Sequence, residues 1–152
     1  MSDFSRRRFL QVLAVGAATT AAAGALSACS GQNGAAAPEP VGDVTAGNVS
    51  SLQEGTVKAV SGSPVFVGRD SNGLYAMTTT CTHAGCDMSS GQAISTKIVC
   101  SCHGSEFDLN GDVVNGPANS PLVHYAVSLA ADGTITVHGT QEVSASTRTP
   151  VA

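Results

Sequence analysis

Basic side chains are scarce in these 152 residues: seven lysines and arginines in all, three of them the consecutive Arg6, Arg7 and Arg8. Without residues 1–28, which hold that run and Asp3, four basic residues face ten acidic ones, a formal charge of −6. Such a surface cannot neutralise a row of phosphates, which excludes nucleic acid as a partner. It remains compatible with docking onto a basic protein. The chain also lacks paired catalytic carboxylates, a nucleophile elbow and a phosphate-binding loop, so there is no case for hydrolysis or nucleotide binding. Sustained helical periodicity is missing from Val49 to His138, and no internal repeat is present. The length allows one ordinary domain plus appendages.

What fills Val49 to His138 is a succession of short β-branched runs separated by turn signals. Val57 to Val60 and Val65 to Gly68 are such runs, Leu74 to Thr78 follows Asp70-Ser71-Asn72-Gly73, and Ile98 to Cys100 is a further strand candidate. Asn110-Gly111 sits between Phe107-Asp108-Leu109 and Val113-Val114 as a hairpin turn, and Asp132-Gly133 joins Tyr125 to Leu129 and Thr134 to Val137 in the same manner. The pattern predicts an all-β fold, a small antiparallel sandwich or barrel. Residues 49–140 are assigned to this domain, and residues 141–152 are expected to fray.

Residues 1–28 read as a targeting segment. Ser5-Arg6-Arg7-Arg8-Phe9-Leu10 resembles a twin-arginine export motif, with Gln11 where lysine is often found, and no charged residue follows from Phe9 to Cys29. That route carries folded proteins, so a cofactor would be inserted before export. Leu26-Ser27-Ala28-Cys29 is similar to a bacterial lipobox, in which Cys29 would be lipidated as the mature N-terminus. Acyl chains there would give stable anchoring. The alternative is an uncleaved membrane helix, since the apolar run can span a bilayer of about 30 Å. Either way the expected localisation is the outer face of the cytoplasmic membrane. Residues 29–48, with Pro38 and Pro40 and almost no large apolar side chain, are expected to form a disordered tether.

Two stretches carry the chemistry: Cys81-Thr82-His83-Ala84-Gly85-Cys86 and Cys100-Ser101-Cys102-His103-Gly104-Ser105. Each offers a thiolate and an imidazole on a glycine-containing loop, donors soft enough for iron or zinc. Taken alone, Cys81, His83, Cys100 and His103 fit a tetrahedral zinc site as well as an iron centre. His124 and His138 lack neighbouring ligands and are read as packing or surface residues. Met77 and Met88 read as core fillers, and Asp108 and Asp112 as turn residues.

The paired C-x-H-x-G-C and C-x-C-H-G-S pattern, including Gly85, Gly104 and Ser105, closely resembles the two boxes of the Rieske family. The resemblance implies one 2Fe–2S cluster per chain, with one iron held by Cys81 and Cys100 and the other by His83 and His103. It also implies a disulfide between Cys86 and Cys102, which an exported protein can keep oxidised. On that assignment all five cysteines have a task, Cys29 with lipid, two with iron and two with each other. Ser105 would donate a hydrogen bond to a bridging sulfide. Gly116-Pro117-Ala118, followed by Pro121-Leu122, is similar to the family's proline loop, so Pro117 would cover the cluster from a third side.

Two positions depart from the family. High-potential, quinol-oxidising members have a tyrosine two residues beyond the serine, donating to a cysteine sulfur; here that residue is Phe107, which predicts a lower potential within the family's range of about −150 to +300 mV. Ala84 stands where leucine often shields the cluster, leaving the histidine edges more open. The resemblance thus implies a one-electron carrier with no catalysis of its own, alone or within an oxidoreductase, touching a redox partner protein through His83 and His103. Alternatives are the iron–sulfur subunit of a quinol–cytochrome c reductase (a cytochrome bc-type complex), the small Rieske subunit of an exported oxidoreductase such as arsenite oxidase, and a structural zinc domain. A dioxygenase ferredoxin fits less well, because those are cytoplasmic and typically lack the disulfide cysteines.

Overall fold

A computed structural model describes residues 42–89 and 93–151; the export motif, Cys29 and most of the expected tether lie outside the described residues. Regular structure among them is β-strand apart from one 3₁₀ turn at Val49–Ser51. In chain order the strands are β1 (Asp43–Asn48), β2 (Thr56–Ala59), β3 (Val65–Asp70), β4 (Gly73–Thr78), β5 (Ile98–Val99), β6 (Glu106–Phe107), β7 (Val113–Asn115), β8 (His124–Leu129) and β9 (Thr134–Val143). All pairings are antiparallel: a six-stranded sheet of order β1-β9-β8-β4-β3-β2, and a three-stranded sheet of order β5-β6-β7. No helix among the described residues is long and apolar enough to cross a membrane.

The centre of the larger sheet follows from its sequence. β4 is buried at every position, and its register with β3 runs from Val65↔Thr78 to Asp70↔Gly73. The turn between them is closed by the Asp70 carboxylate, whose Oδ1 accepts from the N–H groups of Asn72 and Gly73 at 2.8 and 3.1 Å. Alternation along the strands then sorts side chains onto two faces. Phe66, Tyr75 and Met77 join a core that also holds Cys81, Met88, Ile98, Cys100, Phe107, Ala118 and Leu122, so the cysteine loops grow out of packed apolar ground. Leu74, Ile135 and Val67 on one side, and Ala76, Tyr125 and Val137 beside them, form two smaller clusters. Met77 and Met88 are core residues, as expected.

The structure corrects both ends of the expected domain. The tether was expected to reach residue 48, yet β1 begins at Asp43 and pairs Asp43↔His138, Val44↔Val137 and Thr45↔Thr136. Only Val44 among its residues is β-branched and apolar, so the strand gave little sequence signal. It is held instead by polar bonds: Asn48 Nδ2 donates to the Asp132 carbonyl at 2.9 Å, and the Val49 N–H to the Gly133 carbonyl at 2.9 Å. The expected fraying after residue 140 is also corrected. β9 continues to Val143, and beyond it Thr149 exchanges both backbone hydrogen bonds with Leu74, at 2.8 and 2.9 Å. β4 pairs with β8 only at Ala76↔Tyr125 and Met77↔His124. At the other end of β4, Thr149 takes the place of β8 and its hydroxyl donates to the Val127 carbonyl. This terminal strap is fastened by backbone and charge, which a hydrophobicity pattern does not display.

Candidate metal centre

The two loops are the same backbone turn used twice. In the first, the Cys81 N–H donates to the Cys86 carbonyl (2.8 Å) and the Gly85 N–H to the Cys81 carbonyl (2.9 Å). In the second, the Cys100 N–H donates to the Ser105 carbonyl (2.8 Å) and the Gly104 N–H to the Cys100 carbonyl (2.9 Å). Gly85 and Gly104 sit at φ +73° and +78°, the left-handed region. Nothing within 4 Å would meet a side chain at either, so it is the backbone conformation that calls for glycine. Each loop has a paired neck. Thr80 bridges to Asp87 below the first, and β5 pairs with β6, Val99↔Glu106, below the second. The Lys97–Glu106 ion pair at 2.7 Å lies beside that second neck.

The disulfide implied by the resemblance is present: Cys86 and Cys102 are bonded and tie one loop to the other. Cys81 and Cys100 keep free thiols, each 1% exposed. The sulfurs of Cys86, Cys100 and Cys102 lie within 4.8 Å of one another, but the disulfide occupies two of them, so only Cys100 of the three has a thiol to give a metal. The rings of His83 and His103 stand 4.8 Å apart, centroid to centroid, nearly perpendicular at 83°. His103 is exposed, whereas His83 is half-buried and its Nδ1 is buried without a hydrogen-bond partner.

These donors fit a metal–sulfur centre. Burial pushes the Cys100 thiol up from its ordinary pKa; backbone N–H groups of Cys102 and His103 aimed at its sulfur act the other way, and the adjacent Cys81 thiol raises it again. The N–H groups beside the Cys100 sulfur suit a thiolate balanced by a metal's positive charge. A buried imidazole nitrogen left unpaired costs about 1–3 kcal/mol, which coordination would remove. Two thiolates and two imidazoles on paired loops are the donor set of a mixed-ligand 2Fe–2S centre.

A third segment closes over the pair. The Ala118 N–H donates to the Ser105 hydroxyl at 3.0 Å, and the Thr82 hydroxyl donates to the Ser120 carbonyl at 2.6 Å. The segment carrying Pro117 is therefore bonded to both loops. Pro117 itself is exposed and follows a cis peptide bond from Gly116. Ser105 and Phe107 are fully buried. His124 and His138 lie apart from the centre: His124 Nε2 donates to the Asn110 carbonyl at 2.8 Å, and His138 bonds Asp43 and Ser128 on the large sheet. Asp108 is a turn residue, its Oδ1 accepting from the N–H groups of Asn110 and Asp112 at 2.8 and 2.9 Å. Sequence reasoning did not single out Thr82, whose tie to Ser120 spans 38 residues and leaves no local signal.

Comparison with known proteins bears on the same residues. Residues 43–135 match the family described as the Rieske [2Fe-2S] domain. The cytochrome b6-f complex iron-sulfur subunit of Synechococcus sp. (strain CC9605) is 34% identical over 145 residues, 84% of this chain and 81% of that protein. The corresponding subunit of Parasynechococcus marenigrum (strain WH8102) is 34% identical with the same coverage. Among solved structures, a chain from a complex of reduced oxygenase and oxidized ferredoxin in carbazole 1,9a-dioxygenase has 27% identity and a TM-score of 0.51, covering 67% of this chain and 97% of that one. With paired cysteine loops, a closing disulfide and a match spanning most of the folded residues, the chain belongs to the Rieske [2Fe-2S] domain family.

Proposed function

We propose that this protein passes single electrons through a Rieske 2Fe–2S cluster, with Cys81 and Cys100 holding one iron and His83 and His103 the other. When bound, the cluster supplies a one-electron couple whose potential lies above that of all-cysteine clusters, because neutral imidazoles replace two anionic ligands. The observation that carries this reading is the buried, unpartnered Nδ1 of His83, beside a second imidazole and joined by a disulfide-tied loop to two free buried thiols.

The surrounding residues divide the remaining work. Ser105 is buried and its oxygen already accepts the Ala118 N–H, which leaves its proton to donate to cluster sulfur. The disulfide and the Thr82–Ser120 bond hold the three covering segments together and limit water access. His103, the exposed imidazole, is the edge offered to a partner. Among residues 42–151, nine acidic side chains outnumber four basic ones, which suits a basic redox partner.

A cytochrome bc-type complex is the assembly we favour, because the curated relatives carry the name of such a complex's iron–sulfur subunit and are matched over 81% of their length. Quinol would then be the reductant at the histidine edge. In this reading the domain is exported by the twin-arginine route and held by lipid at Cys29 on the outer face of the cytoplasmic membrane, and a structural disulfide is at home in that oxidising compartment. Dithionite reduction of the purified protein should give a Rieske-type electron paramagnetic resonance signal with two irons per chain, lost in Cys100→Ser; a colourless zinc protein would overturn the reading. Co-purification with a cytochrome b tests the assembly, and loss of membrane attachment in Cys29→Ser tests the anchor.

A further inference from the structure

Arg148, in the terminal strap, commits its guanidinium to the foot of the cluster-bearing hairpin. Nε donates to Asp70 Oδ2 at 2.7 Å, Nη1 to the carbonyls of Ala145 and Thr147 at 2.8 and 2.9 Å, and Nη2 to Asn110 Oδ1 at 2.7 Å. The same group lies 4.2 Å from the centroid of the Tyr75 ring. Tyr75 in turn donates its hydroxyl to the Leu109 carbonyl at 2.8 Å, and its ring stacks on His124, which bonds the Asn110 carbonyl. The Leu122 N–H donates to the Gly111 carbonyl at 2.9 Å. The turn from Asp108 to Asp112 is thus gripped at three successive residues from outside the small sheet.

That grip matters because the small sheet has little stiffness of its own. β6 is two residues long, its register with β7 shifts between Glu106 and Phe107, and it starts directly after Ser105. Besides the β5 pairing at Phe107 and the Ala118 bond to Ser105, these two residues take their positions from the loop at one end of β6 and from the gripped turn at the other. We infer that Arg148 is a positioning residue for the redox centre: by clamping the Asp108–Asp112 turn to the large sheet, it sets where Ser105 and Phe107 stand against the cluster. The inference rests on the electron-transfer reading above. Lysine cannot substitute, since an ammonium can neither fork to Asp70 and Asn110 together nor stack on Tyr75 as a plane.

The experiment compares cluster-loaded wild type with Arg148→Met, Arg148→Lys and Asn110→Ala. Val151→Ala serves as control: it trims the strap where it packs on the cluster of Leu52, Val67, Leu74 and Ile135, none of which belongs to the turn. The readouts are amide exchange at Gly111 and Asp112, the electron paramagnetic resonance g values and the midpoint potential. Arg148→Met, Arg148→Lys and Asn110→Ala are each expected to speed exchange at those two amides by about tenfold, the loss of one charge-assisted hydrogen bond, and to move the g values and midpoint in a common direction. The Arg148→Met/Asn110→Ala double variant should add little to either single change. Val151→Ala should lower Tm alone. The proposal is overturned if Arg148→Lys, or Arg148→Met where it folds, matches wild type in exchange, g values and midpoint. A wild type without a Rieske signal would instead sink the electron-transfer reading, and the exchange data would still decide whether the clamp exists.

Discussion

Phe107→Tyr is expected to raise the midpoint potential, because it adds one hydroxyl to a fully buried ring packed in the same core as Cys81 and Cys100. The family resemblance directs that hydroxyl to a cysteine sulfur, where it would act on the charge of the centre. A hydrogen bond to a charged group contributes about 1.5–3 kcal/mol. It is stronger in the reduced state, which carries one more negative charge, and only this difference moves the potential. With roughly 1 kcal/mol of difference between the two states, and about 59 mV for each tenfold change in a one-electron equilibrium, the shift is about +40 mV. Overpacking opposes the change in a different observable: an extra heavy atom in a filled core costs about 1–3 kcal/mol of stability. The assay is a redox titration of wild type, Phe107→Tyr and Phe107→Leu, with thermal unfolding alongside. Phe107→Leu disturbs the packing without supplying a donor, so it should lose stability with no rise in midpoint. A Phe107→Tyr midpoint at or below wild type, in a protein that still binds its cluster, would refute the hydrogen-bond argument.

Removing the loop tie by Cys86→Ser with Cys102→Ser should cost about 3 kcal/mol, the loop-closure value for a crosslink spanning about 15 residues, read as a lower urea midpoint in the oxidised protein. Gly111→Ala should destabilise strongly and loosen the cluster hairpin: the residue sits at φ +81°, and a Cβ would stand 2.9 Å from both Met77 Sδ and Leu122 Cβ. Stability should also fall in acid through His124. Burial holds its imidazole below the ordinary 6.5, outweighing the Asn110 carbonyl, and the Arg148 charge adds to the lowering. The histidine is then neutral in the fold while the unfolded chain takes up a proton, so its contribution is complete above pH 6.5 and lost as pH falls through the depressed folded value. Urea midpoints between about pH 8 and pH 5 measure this, and His124→Gln should flatten the decline; an unchanged slope would remove His124 from the account.

Legibility in the sequence depended on whether a feature was local. The strands β3, β4, β8 and β9 were visible because β-branched runs and Asp-Gly or Asn-Gly turns sit within a few residues of one another. The ligand boxes were visible for the same reason. β1 was not, because its anchors, His138 and Asp132, lie some ninety residues away in chain (Asp43–His138 is separated by 95). Arg148 was missed more completely. Its polar, proline-containing surroundings read as a tail, and nothing near residue 148 reveals that Asp70 lies 78 positions earlier and Asn110 38 earlier. Buried apolar strands announce themselves by composition; a segment fastened by charge and backbone pairing does so only through its partners.

The duplicated loop explains why one backbone yields two unlike halves of a centre. Counted from Cys81 and Cys100, the fifth residue of each loop is the left-handed glycine and the sixth supplies the carbonyl that closes the turn. The side chains break this symmetry. The imidazole is third in the first loop and fourth in the second, so His83 has a buried Nδ1 while His103 stays exposed. The sixth residue is Cys86 in one loop and Ser105 in the other. Cys86 reaches across to Cys102, the second loop's third residue, whereas Ser105 turns inward and is bonded by Ala118. Both loops therefore deliver a buried thiol in the same way, and the differences fall on what surrounds it: a crosslink on one side, a hydroxyl on the other, and one imidazole open to a partner. A strictly symmetric pair of loops would bury or expose both histidines alike, and the site would lose either its protection from water or its path for the electron.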